Sequence, residues 1–254
     1  MPSLPNPLPV LCINLESDRD KLEQTSRLFG TLPFVDFRRS PGVLTRDLPV
    51  AAMRALTRSE AVRRGTLGCF LAHVAAWEAV AAGPGWALVI EDDARPFRLD
   101  RLYATAIPPD AELVFVNRAG SPLLPVENPD RPLCSPLRSL LPTKRGFPPQ
   151  RGAEPGTYGY LLAPEGARKL LDAVAQDGFY GHVDWRLLRY GTSLEDMLAE
   201  PPDSRMHNEP MLTLAPDRGF ARGVLRAYCL TPALVHMREN ARSSRMVLDG
   251  LLPP

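Results

Sequence analysis

The segment Trp86–Pro96, WALVIEDDARP, constrains this chain more than any other stretch. Five uncharged residues run without interruption into three carboxylates, Glu91, Asp92 and Asp93. A short apolar run of this kind fits a strand buried on both faces, as when helices cover both sides of a parallel sheet. In open α/β sheets ligands sit beyond the carboxyl ends of the strands, which is where the three carboxylates fall. Like charges this close repel, so a bare cluster is costly unless something positive joins it. A divalent cation is the simplest partner, since Mg²⁺ and Mn²⁺ take hard oxygen ligands and bridge protein carboxylates to substrate phosphates. A solvated acidic loop, or carboxylates capping a following helix, is the alternative, and this segment alone leaves the two open.

The flanking sequence supplies the covering elements. LPVLCINL (8–15) is another short apolar run and is read as the first strand. ESDRDKLEQTSRLFG follows with a helical period and a stop at Gly30, and PFVDFRR (33–39) reads as a strand closed by SPG. The chain thus opens β-α-β, which favours a parallel sheet with helices against it. LPVAAMRALTRSEAVRRG predicts a short helix and a basic loop. Over TLGCFLAHVAAWEAVAAG (66–83), Leu67, Phe70, Leu71, Val74, Trp77 and Val80 recur at helical spacing with little charge, so this helix is expected to pack on both sides. Trp77 is accordingly read as core. ELVFVN (112–117) and TYGYLLAP (157–164) read as strands, and EGARKLLDAVAQDG and HVDWRLLRYG as helices. AYCLTPALVHM (227–237) reads as strand interrupted at Pro232. Residues 119–156 are proline-rich and aperiodic, an unusual length for a structureless loop in a compact domain, and are read as a functional loop or an insertion folded over a site.

Charge and cysteine usage narrow the function classes. A net charge of +1 gives no reason to expect wholesale binding to nucleic acid. Lysine occurs only at Lys21, Lys144 and Lys169, so the positive charge is nearly all arginine, which suits forked phosphate contacts; a compositional bias of the coding sequence explains the same excess. Cys12, Cys69, Cys134 and Cys229 are widely spaced, show no C-x-x-C or Cys/His grouping that suggests zinc, and fit small hydrophobes in a reducing compartment. The N-terminus lacks the pattern of a signal peptide, and no apolar run approaches the roughly 20 residues of a membrane span. A cytoplasmic protein is expected, with peripheral contact at the inner membrane surface left open.

Several stretches in order, CINLESDRDK, GTLGCFLAHVAAW and VIEDDA, resemble glycosyltransferase family 25, which includes bacterial lipooligosaccharide glycosyltransferases and collagen galactosyltransferases. The family patterns look like xINLxxSxxR, GExGCxxSHxxxW and xLEDDA. GTYGYLLAPEGARKLL and HVDWRL are similar to two later family segments, so the likeness runs from about residue 10 to 190. Thr66 stands where the family usually has Glu, and Ala72 where it usually has Ser. The resemblance implies a GT-A fold, a Rossmann-like, mostly parallel sheet with flanking helices. It implies one domain over 1–245, with a nucleotide-sugar half at 8–118, the proline-rich loop 119–156, an acceptor half at 157–237, and a tail at 246–254.

It also implies an inverting, metal-dependent transfer of a hexose, galactose first among them, from a UDP-sugar to a cell-surface glycan such as lipopolysaccharide or capsule. Asp93 is expected to hold Mn²⁺ or Mg²⁺ directly, with Asp92 in support and Glu91 reaching the ribose or a metal-bound water. Asn14, Leu15 and Arg19, after the first strand, are expected at the nucleotide, although a charge pair at a helix start explains Arg19 equally. Asp184 is the candidate base for the acceptor hydroxyl, and a helix-capping aspartate is the alternative. His236 could add a late metal ligand, or be an ordinary packed histidine. His73 is expected to be a buried, hydrogen-bonded helper at the substrate side, and Tyr158 and Arg238 are further substrate-binding candidates. Arg238, Arg242 and Arg245 could meet a diphosphate or an anionic acceptor, against a solvated basic tail. A degenerate member that binds sugar nucleotide or glycan without turnover is the competing function, and a metal-dependent phosphohydrolase a third.

Overall fold

In the computed structural model, which describes residues 4–57, 63–117, 132–137, 156–179, 181–193 and 221–238, the apolar run before the carboxylates forms β3 (Ala87–Glu91). It is an interior strand of a seven-stranded sheet. Its side chains alternate between two cores, as a doubly covered strand requires. Ala87 and Val89 face a cluster containing Phe70, Trp77 and Leu170. Trp86, Leu88 and Ile90 face a second cluster with Phe29, Leu99 and Leu102.

The chain opens β1 (Leu8–Asn14), α1 (Arg19–Gly30) and β2 (Val35–Pro41), the β-α-β unit expected from its periodicity. Two helices follow, α2 (Val50–Thr57) and α3 (Arg64–Ala81), before β3. Next come β4 (Ala94–Pro96), a 3-10 turn at Leu99–Ala104 and β5 (Leu113–Phe115). β6 (Leu133–Pro136), β7 (Tyr160–Leu162), α4 (Pro164–Asp177), α5 (Val183–Tyr190), β8 (Ala227–Thr231) and β9 (Val235–Met237) complete it. The large sheet has the order β2-β1-β3-β7-β5-β8-β6. β1, β2, β3, β5 and β8 run in one direction, and β7 and β6 run against them. The α/β, mostly parallel arrangement read from the sequence is therefore the observed one. No helix among the described residues is long and apolar enough to cross a membrane.

α3 is buried along most of its length, including Leu67, Phe70, Ala76, Trp77 and Val80, which is why its sequence carries so little charge. Its first turns sit directly against the backbone that follows β2. A Cβ on Gly68 would lie 2.5 Å from the Val43 carbonyl oxygen, so any side chain there would push the helix off. Within the aperiodic stretch 119–156, residues 133–136 form an edge strand on β8, and apart from 132–137 and Gly156 the rest lies outside the described residues. A four-residue edge strand ending in proline leaves little periodic signal to read. Pro232 ends β8 as expected. The chain resumes as β9, which leaves the large sheet and pairs antiparallel with β4, the strand directly after the carboxylates.

Candidate functional site

The sheet order creates a crevice. From β1 the chain moves to β2 on one side, then returns to place β3 on the other side of β1. Such a switch point, at the carboxyl ends of the strands, is where ligands settle in open α/β sheets. Asn14 ends β1 and Glu91 ends β3, with Asp92 and Asp93 next.

Asn14 is buried and ties the crevice together. Its Nδ2 donates to Asp92 Oδ2 at 2.8 Å and to the Asp18 carbonyl at 2.9 Å, and its Oδ1 accepts from Arg39 Nε at 3.2 Å. The carboxylate turn is also gripped through its backbone. Thr25 Oγ1 of α1 and Arg238 Nη2, just past β9, both donate to the Asp92 carbonyl at 2.6 Å. The Arg238 amide donates to the Asp93 carbonyl at 2.7 Å, and its guanidinium also reaches Gln24.

This framework holds negative charge where it is costly. Burial, and then the charges of Glu91 and Asp92, push the Asp93 carboxyl up to about 7, against a smaller downward pull from Lys21. Asp92 is also raised by burial, offset by its bond from Asn14 and by Lys21. Asp93 Oδ1 is shut off from solvent with no hydrogen-bond partner. A buried carboxylate oxygen without a donor, beside two like charges, is a costly arrangement that a cation would relieve. The chemistry of the residues present therefore fits a hard divalent ion, with Asp93 offering an unfilled carboxylate oxygen and Asp92, next in the chain, a second carboxylate. Cys12 lies beneath them; burial and the charges of Asp92 and Asp93 hold its thiol protonated far above the usual range.

Glu91 turns the other way. Its Oε1 accepts from Thr157 Oγ1 and lies 3.6 Å from His73 Nε2. His73 is fully buried, and its Nδ1 is 2.8 Å from Tyr160 Oη, which also accepts the Trp77 indole N–H at 2.8 Å. Cys69, one helical turn before His73, completes a group whose three ligand atoms lie within 4.8 Å of one another. The sequence spacing shows no C-x-x-C or Cys/His grouping that suggests zinc, and the grouping here forms only in three dimensions. The third member, Glu91, comes from a strand 18 residues further along, a contact that only the packing of α3 on β3 creates.

No family model matches this chain, and no curated protein matches it. Among solved structures, it is similar to a glycosyltransferase involved in the glycosylation of the major capsid of PBCV-1. The two are 10% identical, over 96% of this chain and 97% of that one, with a TM-score of 0.43. It is also similar to mouse xyloside xylosyltransferase 1, at 12% identity over 92% of this chain and 98% of that one, with a TM-score of 0.36.

Of the residues singled out in the sequence, Asn14, Asp92, Asp93 and Arg238 form one bonded group, with Glu91 and His73 adjoining. Leu15 is half-buried, and its carbonyl accepts the Asp18 amide at 2.9 Å. Glu16–Asp18 and the first turn of α1 line an open cleft of about 710 Å³, in which Lys21 pairs with Asp18 at 2.8 Å. Arg19 stands exposed at that cleft and pairs with Glu16 at 3.7 Å. His236 is opposite Arg95 in the β4–β9 pair and edge-on to Phe97, with its proton affinity lowered by burial and by Arg95. Tyr158 Oη donates to the Asn117 carbonyl at 3.1 Å. Asp184 sits in the first turn of α5 and accepts the Trp185 amide at 2.9 Å, a bond of the helix-start kind. Arg242 and Arg245 lie outside the described residues. Thr25, Thr157, Tyr160 and Lys21 were not singled out; each sits in a segment whose periodicity explained it as helix or strand.

Proposed function

We propose that this chain is a metal-dependent glycosyltransferase that moves a hexose, galactose first, from a UDP-sugar to a cell-surface glycan such as lipopolysaccharide or capsule. The observation that carries the proposal is the carboxylate turn at the β1–β3 switch point, with its buried, donor-less Asp93 oxygen. Asp93 and Asp92 hold Mn²⁺ or Mg²⁺ in this reading. The ion, once bound, supplies a Lewis acid for the charge that grows on the departing diphosphate. The chain's own residues do the rest. Asn14 fixes the Asp92 carboxylate and the β1 loop in one geometry, so the ligand oxygens need not reorganise during transfer. Thr25 and Arg238 hold the backbone of the turn. Arg19, exposed at the cleft, is suited to a phosphate or a ribose hydroxyl.

An inverting transfer requires a base for the acceptor hydroxyl. Asp184, half-exposed in the first turn of α5, takes that role in this reading. The test is a screen of nucleotide sugars by thermal shift, with and without Mn²⁺, followed by turnover with the stabilising donor. A UDP-hexose should raise the midpoint only when metal is present, because a ligand that binds the folded state stabilises it. Equal turnover in EDTA and in Mn²⁺ would defeat the metal-dependent reading. Binding without turnover on any acceptor would favour the degenerate binder, in keeping with Thr66 and Ala72.

A further inference from the structure

Beside the hard-oxygen carboxylates lies a second donor set of different chemistry. Cys69 and His73 are four residues apart on α3 and therefore share one face of the helix. Glu91 meets them from the end of β3. A sulfur, an imidazole nitrogen and a carboxylate oxygen within 4.8 Å of one another are the donor types of a tetrahedral zinc site.

The histidine carries the second observation. It is fully buried, and its Nε2 has no hydrogen-bond partner. Glu91 Oε1 is 3.6 Å from it, too far for a hydrogen bond. Two ligands at the usual zinc distances of about 2.0–2.1 Å on a tetrahedral ion stand roughly 3.4 Å apart, close to that gap. The other ring nitrogen faces Tyr160 Oη at 2.8 Å, and Trp77 in turn donates to that oxygen. With the imidazole proton on Nδ1 and donated to Tyr160, the Nε2 lone pair is free and the ring is fixed in orientation, the supporting bond that metal-binding histidines usually make.

We propose that Cys69, His73 and Glu91 bind a thiophilic divalent cation, zinc being the best fit, with the fourth position left to water or a ligand in the crevice. Binding replaces the thiol proton of Cys69, which leaves to solvent, while Glu91 binds as carboxylate and His73 as neutral imidazole. The thiolate selects against Mn²⁺ and Mg²⁺, so this site and the Asp92–Asp93 site would choose different ions. The inference does not depend on which group the enzyme transfers.

The test is titration of chelator-treated full-length protein with Co²⁺. One equivalent should produce a near-ultraviolet thiolate-to-cobalt charge-transfer band and the strong visible bands of four-coordinate cobalt, both displaced by Zn²⁺. Cys69→Ser should remove the charge-transfer band. Tyr160→Phe should weaken Co²⁺ binding by roughly 10-fold or more. Asp93→Asn should leave the bands intact while removing any response to Mn²⁺, so the two metal readings fail separately. On the unmodified protein, Zn²⁺ should slow alkylation of Cys69 at least several-fold. A wild-type protein without the charge-transfer band, a band that persists in folded Cys69→Ser, or an unchanged alkylation rate would each overturn the assignment.

Discussion

Replacing Asp93 with asparagine should make the metal-free protein more stable, and the gain should grow with pH. In the folded chain, burial and the charges of Glu91 and Asp92 lift this carboxyl from its ordinary 3.8 to about 7. A raised acid favours folding while protonated, so the stability it contributes is complete below its unfolded value near 4. That stability is lost as pH rises through 7. At pH 8 the full displacement corresponds to about 4 kcal/mol. The residue as a whole keeps some exposure, which brings the expected figure to about 2–4 kcal/mol. Asparagine keeps the shape without the charge. The difference between Asp93→Asn and wild type in EDTA should be near zero at pH 4 and reach about 2–4 kcal/mol at pH 8, measured by urea unfolding at several pH values. In a chain of this length that is a rise in midpoint temperature on the order of 10 °C. Saturating Mn²⁺ should stabilise wild type and leave the variant unmoved. A variant equal to or weaker than wild type at pH 8, or a difference that does not change with pH, would refute the view of Asp93 as a strained, cation-seeking carboxylate.

Three further outcomes follow from named contacts. Asn14→Ala removes the 2.8 Å bond to the Asp92 carboxylate and the 2.9 Å bond to the Asp18 carbonyl, and should cost about 1.5–3 kcal/mol in unfolding while weakening Mn²⁺ binding; calorimetric titration with unchanged affinity would count against Asn14 as the organiser of the turn. Tyr160→Phe strands the buried Trp77 N–H and one nitrogen of His73, and should lower stability by about 1–3 kcal/mol by urea unfolding. Arg186→Leu removes the cation paired with fully buried Asp177 at 2.7 Å, leaving it the Ala221 amide and the Tyr190 hydroxyl, and should cost about 3–5 kcal/mol while leaving Mn²⁺ affinity unchanged, because that pair belongs to α4 and α5 and not to the crevice; a matching loss of Mn²⁺ affinity would show that the two regions are coupled.

The interior of the sheet was legible because β3, β5 and β7 are buried on both faces. WALVI is apolar throughout and LPVLCINL is so but for Asn14, α3 repeats at helical spacing, and Pro232 marks the break between β8 and β9. β6 was not legible, since a short edge strand has no apolar alternation to show. The site divided along the same line. Glu91, Asp92 and Asp93 could be read because their charges contrast with the run before them, and Asn14 because it ends the neighbouring strand. Thr25 and Thr157 are polar residues whose role lies in a hydrogen bond across 67 and 66 positions of chain, and no local pattern encodes such a bond. Cys69 and His73 gave half a signal in their four-residue spacing. The apolar setting of the helix spoke for packing, and the missing half, Glu91, lay on another element.

The antiparallel pairing of β4 with β9 has a consequence in time. Arg238 reaches back 146 residues to hold the Asp92 carbonyl. At the usual 5–20 residues per second of synthesis, roughly 7–30 s separate the making of the carboxylates from the making of the arginine that clasps them. During that interval the nascent chain already has β1, β2 and β3 but lacks the clamp on their carboxylate turn. The site is thus set to mature last, and on the proposed reading a chain cut short before β9 should keep much of its sheet and bind Mn²⁺ more weakly than the whole chain.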